Sequence, residues 1–174
     1  MWKLSLVLAL ALPAMGQKLG VGRAATADEV KAADIGVLID GTNLPAGKGT
    51  AVEGKEVFAK RCAKCHGAKG EGGDEAPLVG GKGSLTSVKP LKTIGSYWPY
   101  ATTLFDYINR AMPFNQPGIL TPDQVYAVSA FLLNQNGVIQ ENDVMDAKSL
   151  PKVKMPNRDG FIKDSRPDVK KRVK

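Results

Sequence analysis

The sequence predicts an all-α domain with few large side chains and long connecting loops. Two observations carry this. Apolar residues recur at helical spacing in three separate segments, 51–61, 101–111 and 121–137, and no strand–helix–strand alternation is present. The chain also holds 19 glycines and 11 prolines among 174 residues, with aromatics at only 6%. Such a composition leaves a helical core short of volume, and a large apolar cofactor would supply it.

The first segment is read as a leader. "MWKLSLVLALALPAMG" has one cation, Lys3, then an apolar run from Leu4 to Met15, with small residues at Ala14 and Gly16. This is the pattern of a secretory signal cleaved after Gly16, with a site after Ala27 as the second choice. The run is too short to span about 30 Å of hydrocarbon. The mature protein is therefore expected to be periplasmic, with at most peripheral membrane contact. Residues 17–50 form an N-terminal arm of weak periodicity, in which "IGVLID" (35–40) reads as a short strand.

A domain is expected over 51–137. In its first helix Val57 and Phe58 share a side with Val52, and Gly54 suggests close approach of another helix. Residues 68–95 read as a long glycine-rich loop, a length that suggests it wraps something. The second helix, 101–111, buries Leu104, Phe105 and Ile108 and stops before Pro113. The third has Thr121 as N-cap, Pro122 at the first helical position, Gln124 completing a capping box, and Gly137 as its stop. Residues 138–174 are expected to form an extended basic tail. Residues 148–174 hold 10 Lys/Arg against 3 Asp/Glu, while 17–147 hold 13 against 14. The high pI belongs to the tail, so the body shows no nucleic-acid character. Val153, Met155, Phe161 and Ile162 interrupt that charge, and suggest a segment lying along a partner or back over the domain.

The chemistry is concentrated in "RCAKCHGAKGEG", residues 61–72, which holds both cysteines and the one histidine of the chain. A Cys-x-x-Cys followed at once by His is a haem c attachment signal. A zinc site would need further ligands, and no second Cys pair or His is present. Two thiols three positions apart, Cys62 and Cys65, reach the two vinyl groups on one porphyrin edge. His66 then comes under the iron. One covalently attached haem c is expected, with iron as the metal.

The sixth iron position calls for a soft ligand, and with one His in the chain Met is the natural candidate. Met112 lies between two helices, ahead of Pro113, and suits that task; its alternative is a hydrophobic plug. "GSYWPY" places Trp98 before the second helix, either as a propionate donor or as core packing. Arg110, beside Met112, reads as a solvated helix end, with pairing to a propionate as the alternative. Lys60, Arg61, Lys64 and Lys69 surround the motif, either as a patch for an acidic partner or as a solvated face.

"CAKCHGAKGEG … APLVGG … AMPFNQPGILTPDQVYAVSAFLL" resembles a class I c-type cytochrome over about residues 50–137. The resemblance implies that family's fold, three to four helices around one haem c, here with extended arms. It implies thioether attachment at Cys62 and Cys65, His66 as proximal and Met112 as distal ligand. It also implies Pro77 as the residue whose carbonyl accepts the imidazole N–H. "GVGRAATADEV", "KTIGSYWPYATTLFDYINRAMPF" and "LPKVKMPNRDGFI" are similar to the cytochrome subunit of sulfur dehydrogenase, the SoxD type of the Sox sulfur-oxidation system. That similarity implies a molybdenum-cofactor partner oxidising sulfite or sulfane sulfur, and a downstream cytochrome or oxidase. The chain itself would transfer electrons and do no bond chemistry. A free-standing periplasmic carrier and an open-site haem module for gas binding or catalysis are the alternatives.

Overall fold

The computed structural model describes residues 20–166. The signal segment and its cleavage point lie outside them, as does the end of the basic run. The described residues fall into two units that divide after Asp34.

The first unit contains one helix, α1 (Ala27–Ala33), within a stretch expected to be irregular. Its origin is local. Thr26 accepts from the Glu29 N–H, Glu29 accepts from the Thr26 N–H, and Arg23 pairs with the Glu29 carboxylate. None of its residues is buried.

The second unit is built around a central helix, α5 (Pro122–Gln135), buried continuously from Val125 to Leu133. It carries the predicted N-terminal capping box of Thr121 and Gln124, and ends at Asn136 with Gly137 left-handed at φ +68°. Against it lie α2 (Ala51–Arg61) and α4 (Ala101–Ala111). In α4 the amphipathic stripe is as expected, with Leu104, Phe105 and Ile108 buried. In α2 Phe58 is fully buried and Val57 partly so, but Val52 points outward and is half-exposed. A capping box at Thr50 and Glu53 starts that helix. Helix α2 crosses α5 at Gly54, where a Cβ would stand 2.8 Å from that of Phe131. The Phe58 and Phe131 rings meet one turn further on, 5.0 Å apart.

The structure differs from expectation at the N-terminal end of this unit, and at the C-terminal end it takes the second of the two expected courses, back over the domain. Residues 35–40 form no strand. The Val37 N–H goes to the Asp106 carboxylate at 2.8 Å, and the Ile39 carbonyl accepts from Thr102 Oγ1. The strand lies later. β1 (Lys48–Gly49) pairs antiparallel with β2 (Met145–Asp146), Lys48 opposite Asp146. The segment after 137 is likewise part of the core. Met145, Leu150, Val153 and Met155 are all buried, and a 3-10 turn at Leu150–Lys152 packs on α4. The apolar residues of the basic tail thus go into this chain's own interior, at least as far as Met155.

Candidate functional site

The site begins where α2 stops. Cys62 donates its N–H to Phe58 O as the helix cap, but its φ of −123° breaks the α2 axis. A single new turn follows, α3 (Ala63–His66), in which the Cys62 carbonyl accepts from both the Cys65 and the His66 N–H at 3.1 Å. That turn places the Cys62, Cys65 and His66 side chains within one rotation of the backbone. Gly67 ends it at φ +81°, where a Cβ would stand 2.7 Å from the Glu71 carboxylate.

The next loop folds back over His66. The His66 carbonyl accepts from the Gly72 N–H at 2.8 Å, and the Cys65 carbonyl from the Glu75 N–H at 2.9 Å. His66 Nδ1 lies 3.0 Å from the carbonyl oxygen of Ala76. A carbonyl only accepts, so Nδ1 carries the proton and Nε2 is left as the basic nitrogen. Here the expectation for Pro77 is corrected: the acceptor belongs to the residue before it. The reason is backbone geometry. Proline forces its predecessor into the extended region, which turns the Ala76 carbonyl toward the ring. Pro77 acts as the brace, packing at the Gly72 turn, where a Cβ would be 3.5 Å from its ring.

Both thiols are free. Cys65 is exposed; Cys62 is partly buried, and that burial, reinforced by Cys65 beside it, pushes its thiol up to about 11. Cys62, Trp98 and Met112 all pack against the edge of the hydrophobic core, together with Leu78 and Val79. Met112 caps α4, with its N–H on Ile108 O and its side chain half-buried. Trp98 is also half-buried, edge-on to Tyr107 at 6.0 Å. Arg110 is held along its helix by Asp106, Nε to Oδ1 at 2.8 Å, which commits it to a partner within the protein. Lys60, Arg61, Lys64 and Lys69 are all exposed.

The long loop is organised by side chains that periodicity does not single out. The Asn136 amide donates to the Leu78 and Leu132 carbonyls and accepts from the Gly80 N–H. Thr93 and Ser96 are buried; the Thr93 N–H donates to Ser96 Oγ, which in turn donates to Leu91 O. The signal for Asn136 is its place one residue past a capped helix.

The donor set fits a covalently held haem: two free thiols one turn apart, and an imidazole whose Nδ1 is engaged and whose Nε2 is free. Among the described residues no group of three or more His, Cys, Asp or Glu could hold a metal ion alone. No described helix is long and apolar enough to cross a membrane.

The cytochrome c family model matches residues 51–136. No curated protein matches the chain. Among solved structures, it is similar to a chain of the sulfane dehydrogenase SoxCD from Paracoccus pantotrophus. The two are 45% identical with a TM-score of 0.78, over 87% of this chain and 75% of that one.

Proposed function

Since the chain belongs to the class I c-type cytochromes, we propose that it passes single electrons in periplasmic sulfur-compound oxidation, as the haem subunit of a molybdenum-cofactor dehydrogenase. One observation carries the reading. The likeness to a SoxCD chain takes in 87% of this sequence, well beyond the 51–136 that the general family accounts for. The arms outside the common fold therefore have counterparts in a sulfane dehydrogenase.

In this reading Cys62 and Cys65 hold one haem c through thioether bonds, which keeps an exported carrier from losing it. Bound there, the group supplies reversible one-electron chemistry at iron. His66 Nε2 is the proximal ligand, with its ring plane and tautomer fixed by Ala76 O. Met112 is the distal ligand. The other described methionines, Met145 and Met155, are packed into the core at 5% and 3% exposure, which favours Met112. A thioether at that position raises the reduction potential. Trp98, half-buried at the core edge, limits access of water and offers its indole N–H to a propionate.

The test is direct reduction. The ferric protein is mixed with the molybdenum-containing subunit of the same host and thiosulfate or sulfite. Substrate-dependent reduction that needs both components is expected. If no sulfur substrate reduces it through that subunit, while an unrelated dehydrogenase does, the free-standing carrier is the correct reading.

A further inference from the structure

Beyond Met155 the C-terminal arm stays on the protein and meets the head of α4 at three points. Asn157 Nδ2 donates to the Tyr97 carbonyl at 2.7 Å. The Arg158 guanidinium lies over the Tyr100 ring, 4.3 Å from its centroid. Phe161 stands edge-on to the Tyr97 ring at 5.2 Å, and that ring also has Lys92 Nζ within 5.1 Å. All three contacts fall on the turn 97–100, which leads into α4.

That turn needs outside support. Tyr100 is the N-cap residue of α4 and makes no side-chain capping bond, unlike Thr26, Thr50 and Thr121 at the heads of α1, α2 and α5. A helix start without a side-chain cap frays more readily. The same helix ends at Met112. Eleven residues make a rod of about 16 Å, so a tilt at its head displaces the side chain at its tail.

We infer that Asn157, Arg158 and Phe161 are positioning residues for the sixth iron ligand: they clamp the turn 97–100 and, through α4, hold the Met112 thioether in place. The inference rests on the proposed ligation by Met112. The three do not serve the core in the ordinary way. Arg158 is exposed and Phe161 is 51% exposed, whereas burial in the arm ends at Met155. What they supply is direction: a hydrogen bond, a cation over a ring and an aromatic edge.

The experiment uses the full-length, haem-loaded protein. It reads the near-infrared sulfur-to-iron band, the reduction potential, and the rate at which added imidazole takes the sixth position. The triple variant Asn157→Ala, Arg158→Ala, Phe161→Ala should admit imidazole about tenfold faster, as expected for losing contacts of this kind together. Its band should weaken and its potential fall, with haem content and helix content unchanged. Arg158→Lys, which keeps a cation over Tyr100, should restore part of the loss relative to Arg158→Ala. If the triple variant does not fold, Arg158→Ala alone, at an exposed position, should still speed imidazole entry about threefold. An unchanged imidazole rate and potential overturn the inference when the parent band is present and Met112→Ala abolishes it. If the parent band survives Met112→Ala, the ligation reading fails first and the inference falls with it.

Discussion

Gly54 of α2 passes so close to Ala127 of α5 that a Cβ on Gly54 would overlap the Ala127 carbonyl. The obstruction is backbone inside a buried helix, so it cannot swing aside. Helix propensity alone favours Ala over Gly by about 0.5–1 kcal/mol. Here overpacking wins, because forced separation of packed elements costs about 1–3 kcal/mol. Gly54→Ala should therefore lower the denaturation midpoint of the haem-loaded protein. An increase would mean that the two helices cross elsewhere.

Ligation gives the second expectation. Met112→Ala should abolish the sulfur-to-iron band of the oxidised protein and lower its potential, since a soft thioether favours ferrous iron. Met155→Ala should keep the band but cost about 2–5 kcal/mol of stability, as a buried Met truncated to Ala does. The reverse pattern would assign the ligand to Met155.

Asp106 ties the segment 35–40 to α4. It accepts the Val37 N–H and both contacts from Arg110. The Arg110 guanidinium first, and the Val37 N–H after it, hold its carboxyl below the ordinary range. A lowered folded value means stability that is fully present above about pH 4, the ordinary carboxylate value, and is lost as pH falls toward the folded one. Asp106→Asn should cost about 1 kcal/mol at pH 7. The gap in urea unfolding between parent and variant should shrink steadily as pH falls below 4. A gap that stays constant through that fall would show that charge is not the cause.

Tyr126 gives the alkaline counterpart. Its hydroxyl donates to Pro45 O at 2.9 Å, and its ring lies 4.5 Å from that of Phe105. Burial, with Asp146 adding to it, pushes the phenol up to about 12. The ionised form is disfavoured in the fold, so the contribution is complete below the ordinary value of about 10 and is lost as pH rises through 12. Tyr126→Phe should cost about 0.5–1.5 kcal/mol at neutral pH, the usual worth of one hydrogen bond. The difference should shrink between pH 10 and 12. A constant difference across that window would place the loss in packing instead.

Helix α4 was readable to the residue because an amphipathic stripe and a proline stop agree, and the start of α5 because its capping box is a four-residue pattern. The family was readable for the same reason: the Cys-x-x-Cys-His signature lies in adjacent residues. Pairings across long separations were not. Nothing near Lys48 announces that it faces Asp146, 98 positions later. "IGVLID" has the composition of a strand, yet its amides and carbonyls find a carboxylate and a hydroxyl on α4. α1 was passed over because seven residues carry too little periodicity, although Thr26 and Glu29 stand at capping-box spacing. The imidazole acceptor was assigned one residue too late, because a proline's influence falls on the peptide before it.

The ladder between Lys48–Gly49 and Met145–Asp146 also sets an order of assembly. Chains emerge N-terminus first, and contacts between distant residues form late. The strand at 48–49 has no partner until residue 146 has emerged, and the turn at 97–100 is not clamped until residue 161 has. Cys62, Cys65 and His66 by then have long been made. The chain thus presents Cys62, Cys65 and His66 while the molecule is still open, before either long-range contact can form.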